Sequence, residues 1–258
     1  MLQELQAVKA AEVSNTLPSI LSQEETLTIN LYMHGIIDPG QDVKTITEEG
    51  MRAQLDVMNQ AYAAHGIQFA LAGTDITSDA ELAYFVPMEK WDAHRVDYVR
   101  QSRQGAYHDL NLWYYPSMEA PVVGLCNLPD QNRRINESDW FHDGCHVLGS
   151  TMPGGDCGGC SEGYTTIHET GHWLGLLHPW GHTLNDCDGP GDEISDTPAQ
   201  AGPVQGCPTE TPDSCPDQPG VDNADNFMDY TQDSCVLTQK FTPGQGSRMR
   251  NNYDWFRL

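Results

Sequence analysis

Cationic side chains are scarce in this chain. Its 258 residues include 13 lysines and arginines against 37 aspartates and glutamates, a formal net charge of −24. Nucleic acid and anionic membrane surfaces are held by basic patches, so neither is an expected partner. No apolar run approaches the length of a membrane span. Residues 1–21 mix charged with apolar side chains and lack the apolar centre of a signal peptide. There are no internal repeats. Hydrophobic residues, at 38%, are slightly lean, which leaves much of the chain to loops.

What the chain has in quantity is glycine (24), proline (16) and cysteine (8). An even eight cysteines is high for a cytosolic protein of this length. Cys187, Cys207, Cys215 and Cys235 lie in a Gly/Pro/Asp-rich region with little from which to build a core. Disulfides in an oxidising, extracellular setting are the natural reading. We therefore expect a mature secreted form with its signal and any propeptide removed. The sequon Asn136-Glu-Ser138 is compatible with secretion.

Residues 27–34 alternate, with Leu27, Ile29, Leu31 and Met33 on one face, as in a strand with one buried side. Thr45-x-x-Glu48 resembles a capping box, and Met51, Leu55, Met58 and Tyr62 follow at helical spacing up to Gly66. Ile67, Phe69 and Leu71 open a second strand, a helix is predicted over about 92–104, and Leu110–Tyr115 reads as a third strand. Residues 119–142 read as irregular, 144–150 as a further strand, and a helix follows from about Ser161. Residues 179–225 have almost no periodicity. Thr242 followed by Pro243 opens a closing helix with Met249, Tyr253 and Phe256 as its apolar stripe. The order of elements describes a mixed α/β layout whose sheet packs its apolar face against helices.

The chemistry concentrates at His168-Glu169-Thr-Gly-His172-Trp-Leu-Gly175-Leu-Leu-His178, an H-E-x-x-H-x-x-G-x-x-H pattern. Helix residues four apart share a face, so His168 and His172 can aim two imidazoles at one metal ion, with Glu169 beside a metal-held water. Gly175 stands where the helix must end, and glycine readily takes the left-handed conformation of a sharp turn. His178 can then return as a third ligand. Three protein ligands and one open position describe a catalytic zinc site. A bare H-E-x-x-H arises by chance in about a few per cent of chains this long. Fixing the glycine and third histidine lowers that to about one in ten thousand, which favours the functional reading over a helix with surface histidines.

Other segments belong with this one. They are Gly191-Asp-Glu-Ile-Ser-Asp-Thr-Pro198, Asn226-Phe-Met228-Asp-Tyr230, and Phe241-Thr-Pro-Gly-Gln245 with Arg248-Met249. Upstream stand Gln104-Gly-Ala-Tyr-His-Asp-Leu-Asn-Leu112 and Pro153-Gly-Gly155. Together with residues 168–178 they resemble the pappalysin family of metzincin metallopeptidases, in particular its short secreted fungal and microbial members, over most of the chain from about residue 27. The resemblance implies an α/β (α+β) metzincin-like fold. Its N-terminal lobe (about 27–177) carries a twisted mixed sheet and two long helices, its irregular C-terminal lobe (about 178–258) is stapled by disulfides, and zinc sits in the cleft between. Residues 1–26 would be an N-terminal extension and 27–258 a single catalytic domain.

Residue by residue, the resemblance implies zinc ligands His168, His172 and His178 and the general base Glu169. It makes Met228 the methionine of a tight turn beneath the metal and Tyr230 a tyrosine that steadies the transition state. Partners are protein or peptide substrates, and a monomer is expected. Two interleaved bridges, Cys187–Cys215 and Cys207–Cys235, follow from the family pattern. Cys126, Cys145, Cys157 and Cys160 look like additions to it, with 126–145 and 157–160 one of the open pairings. Oxygen-rich residues at 187–197 suit a hard cation, and family members bind calcium in the matching loop, so Asp192, Asp196 and Thr197 are candidates against the simpler reading of a solvated acidic loop. In arginine-preferring relatives an acidic residue precedes the cysteine after the methionine turn; here Ser234 stands there with Asp233 before it, so a broader or shifted specificity is expected. Three rival readings stand against this one. A metzincin of another family would carry a different methionine turn and no interleaved cysteines downstream. A structural zinc finger of Cys157, Cys160, His168 and His172 has too short a spacer and leaves Glu169 and His178 unused. A non-catalytic secreted metal-containing binding protein of the same fold has no need of Glu169.

Overall fold

The computed structural model describes residues 25–40, 44–130, 140–235 and 240–258. The sequon at Asn136 and residues 1–24 of the N-terminal extension lie outside the described residues. Strand β1 (Leu27–Ile37) buries Leu27, Ile29, Leu31 and Met33 on one side, as the alternation requires. It is followed by helix α1 (Glu48–Tyr62), β2 (Ile67–Ser78), β3 (Tyr84–Phe85), helix α2 (Ala93–Ser102), β4 (Leu110–Tyr115) and β5 (Ser117–Met118). Next come β6 (Gly124–Cys126), β7 (Cys145–Leu148) and helix α3 (Tyr164–Trp173). Beyond α3 regular structure among the described residues is sparse until helix α4 (Pro243–Asn252), with β8 (Gln205–Gly206) paired to β9 (Tyr230–Thr231) and an isolated bridge between Asn226 and Lys240.

The main sheet has the order β2-β1-β4-β7-β6. Its pairs are parallel except the last, where β6 runs antiparallel to β7 at the edge. One face packs Leu31, Met33, Leu112, Tyr114 and Val147 against Met51, Met58 and Tyr62 of α1 and Ile167 and Trp173 of α3. The opposite face carries a smaller cluster, where Trp113 and Tyr115 meet Phe85 and Val99 of α2. Thus α1 and α3 share one side of the sheet and α2 covers the other.

Three local expectations need correction. The cap of α1 is Thr47, whose hydroxyl accepts from Gly50 N, rather than Thr45. Thr45 is buried and its hydroxyl donates to Gly149 O at 2.7 Å, so it ties two distant segments and is not available as a cap. Residues 119–142 contain β6, which is too short to show a period of its own and exists because β7 pairs with it. Helix α3 starts at Tyr164 rather than near Ser161. It has no local side-chain cap; instead Asp233 reaches across to accept from Glu162 N at 3.0 Å, close to the helix's unpaired first N–H groups.

Four disulfides staple the chain, 126–145, 157–160, 187–215 and 207–235. The last two interleave across the irregular stretch. The 157–160 bridge leaves neither thiol for a metal, which removes the zinc-finger alternative.

Candidate active site

Helix α3 brings the first two histidines and the glutamate together. His168, Glu169 and Gly171 are buried in it, and it is braced from α1 by Tyr62, whose hydroxyl donates to Ile167 O at 2.8 Å. At its end Gly175 has φ +87°, and the chain turns so that His178 returns. The Nε2 of His172 lies 3.1 Å from that of His168 and 3.1 Å from that of His178, and the His168 and His178 Nε2 atoms are 3.3 Å apart.

The other ring nitrogens decide the protonation of this cluster. His168 Nδ1 is 2.7 Å from Phe227 O, and His172 Nδ1 is 2.8 Å from Leu176 O. A carbonyl only accepts, so both Nδ1 atoms carry the proton. Burial first, and then repulsion among the rings, pushes His168 well below its ordinary pKa; burial also lowers His172 and takes His178 down to about 3. Neutral rings with Nδ1–H present lone pairs at Nε2, and these lone pairs converge. No proton can lie between the Nε2 atoms of His168 and His172, so a cation is what satisfies them. Tetrahedral zinc with nitrogen ligands at about 2.0–2.1 Å sets neighbouring nitrogens about 3.3 Å apart, and the spacing here fits it. Among the described residues this is the cluster placed to hold a metal ion.

Glu169 lies beside the cluster with burial pushing its carboxyl up to about 8. The Tyr230 hydroxyl is 3.0 Å from His178 Nε2, and the His178 ring stacks on Trp180 at 4.6 Å. Met228 packs beneath α3, where a methyl group added to Gly171 would stand 2.5 Å from its Sδ.

The turn that carries Met228 is held by Asn226 and Gln245, which the sequence segments contain without a role assigned to either. Asn226 Oδ1 accepts from Met228 N at 2.9 Å, and its amide exchanges two hydrogen bonds with Gln245 of α4, 2.9 and 3.1 Å. Gln245 is also the third residue of α4 and closes a capping box with Thr242. The Phe-Thr-Pro-Gly-Gln run thus reaches the metal cluster through Asn226, Phe227 and His168. Both amides are buried, so Gln245→Ala strands its partner and should lower stability by about 1–3 kcal/mol. Urea denaturation checks this, and adding Asn226→Ala should cost less than the sum of the single losses.

The proposed calcium loop is only partly assembled. Thr197 Oγ1 lies 2.6 Å from Asp192 Oδ1, whereas Asp192 Oδ2 is buried with no partner. Asp196 faces the start of α4, accepting from the Thr242 hydroxyl at 2.7 Å and from Gly244 N at 2.8 Å. The remaining histidines stay outside the cluster. His34 sits between Asp75 and Asn111, and His146 bonds to Tyr115 while stacking on Trp113.

Comparison with known proteins agrees with this geometry. The family model of the M43 peptidases, described as pregnancy-associated plasma protein-A, matches residues 158–254. An extracellular metalloprotease of Neurospora crassa is 37% identical over 99% of this chain and 83% of its own length. One from Pyricularia oryzae is 37% identical over 98% and 84%. Mature mirolysin of Tannerella forsythia, solved with a cleaved peptide, superposes with a TM-score of 0.73 at 26% identity, covering 91% of this chain and 97% of that one. Fold and relatives define a zinc metalloendopeptidase of the metzincin type. Within that class the chain belongs to the pappalysin family, the M43 peptidases.

Proposed function

We propose that this protein is a secreted endopeptidase in which His168, His172 and His178 hold zinc and Glu169 is the general base for hydrolysis of peptide bonds in protein or peptide substrates. The convergence of three Nε2 lone pairs beside a buried carboxylate is the observation that carries the reading. Zinc, when bound, supplies Lewis acidity to water and to the scissile carbonyl. The Glu169 carboxylate takes the proton of the attacking water and passes it to the departing amine. A dication nearby offsets the effect of burial on Glu169 and returns its pKa toward the working pH. Tyr230 O–H, free to leave His178, donates to the developing oxyanion. Phe227 O and Leu176 O fix two of the imidazoles by their Nδ1 protons, and Met228 supports the helix that carries them. Extracellular relatives and four disulfides support secretion. Casein digestion provides the test. Zinc removal should abolish it and zinc return restore it; digestion indifferent to zinc would refute the proposal.

The calcium reading belongs here too, with Asp192, Asp196 and Thr197 as its candidate ligands. Its support is the stranded Asp192 Oδ2. Burial pushes the Asp192 carboxyl up to about 7 from 3.8. A raised folded pKa stabilises fully below the unfolded value, and that contribution is lost as pH rises through about 7. In calcium-free protein, Asp192→Asn should therefore raise the melting temperature at pH about 8 and change it little at pH about 4. Calcium should raise the melting temperature of the wild type and leave the variant unmoved. A calcium response equal in both proteins would remove Asp192 from the site.

A further inference from the structure

The edge strand β6 lies against the carboxylate of Glu169, and its sequence leaves room for that carboxylate at one residue. Its register with β7 is Gly124↔Val147, Leu125↔His146 and Cys126↔Cys145. Leu148 N donates to Val123 O at 2.9 Å and Asn127 N to Gly144 O at 3.2 Å. Those two bonds make 123, 125 and 127 the residues that exchange peptide hydrogen bonds with β7, and they turn the peptide groups of Gly124 and Cys126 to the open edge. Side chains alternate in the same way. Val123 and Leu125 are exposed on one face, while Gly124 and Cys126 face α3 along with buried Val147 and Cys145.

A Cβ built on Gly124 would stand 2.5 Å from Glu169 Oε1, 2.6 Å from its Cγ and 2.8 Å from its Cδ. The backbone at Gly124 is not left-handed, so local conformation does not demand glycine there; the neighbouring carboxylate does. Cys126 and Cys145 face each other across a pair with no ladder hydrogen bonds, Cα to Cα 4.1 Å, and their disulfide ties this edge strand to β7 one pair beyond Gly124.

We propose that Gly124 is a positioning residue for Glu169: lacking a side chain, it lets the edge strand confine the carboxylate against α3, and the Cys126–Cys145 bridge holds the strand in that contact. This rests on Glu169 as the general base. The three atoms nearest a Cβ at 124 all belong to the Glu169 side chain, from Cγ to Oε1, and none to the backbone, so the loss falls on turnover more than on folding.

The test uses the zinc-loaded full chain. Gly124→Ala should lower kcat by about 100-fold, the scale of an ångström's misplacement of a reacting group. KM, zinc content and melting temperature should stay near wild type, and a crystal structure of the variant should show the Glu169 carboxylate moved. In a Glu169→Gln background the same change should cost no further turnover, because it acts through the carboxylate. Should Gly124→Ala fail to fold, Cys126→Ser with Cys145→Ser frees the strand instead. It should also lower kcat, again with no additional loss beside Glu169→Gln.

Wild-type turnover in Gly124→Ala with the carboxylate unmoved would overturn the proposal. So would an equal loss in both backgrounds, or wild-type turnover in the serine pair where only that variant folds. A fully active Glu169→Gln would instead sink the general-base reading itself, so the two failures can be told apart.

Discussion

Glu169→Gln should retain zinc and the fold while lowering kcat by about 10²–10⁴-fold, the range that a positioned proton-transfer group contributes. Gln is nearly the same shape, and His168 and His172 are oriented by backbone carbonyls rather than by Glu169, so the metal cluster has no reason to change. KM should move little. The zinc-free protein offers a second readout. Burial raises the Glu169 carboxyl from 4.5 to about 8. Its favourable contribution is complete below the unfolded pKa and disappears as pH rises through about 8, and a neutral amide avoids that loss. Zinc-free Glu169→Gln should therefore melt above the wild type at alkaline pH. Turnover within a few-fold of wild type would remove Glu169 from the chemistry.

The second large effect is expected at the end of the same helix. Gly175→Ala should destabilise the protein by about 3–5 kcal/mol, combining a left-handed alanine with overpacking. The φ of +87° is one cause. Asn252 is the other: its buried amide donates to Leu174 O and Gly175 O at 3.3 Å, and a new Cβ would collide with Asn252 Nδ2. Zinc affinity should fall as well, because this turn delivers His178. Denaturation and zinc titration measure both, and Asn252→Ala in the same chain should recover part of the stability. A loss below about 1 kcal/mol would mean that the turn does not need glycine.

The metal cluster was the most legible part of the molecule in its sequence, and there is a physical reason. A helix fixes the relation of His168 to His172 by its period alone, and Gly175 marks the place of the return. Strand β1 was equally open, since alternation is the direct trace of one buried face. Groups acting over long separations left no such trace. Asp233 supports the start of α3, Gln245 steadies the turn of Met228, and Thr45 is spent on Gly149, each through a contact that only the folded chain creates. Gly124 is the extreme case. A lone glycine in a three-residue strand carries no period, and its meaning comes from a carboxylate on a helix forty-odd residues further on. The calcium loop shows the converse limit. Its composition suits a cation, and composition gives no sign that Asp196 also accepts hydrogen bonds from the start of helix α4.

X-ray absorption at the zinc edge of the loaded protein tests the central claim most directly. The account predicts one zinc per chain with three imidazole nitrogens at about 2.0–2.1 Å and a light-atom fourth neighbour, and loss of one imidazole in His178→Ala. Sulfur at about 2.3 Å, or an imidazole count unchanged in that variant, would contradict it.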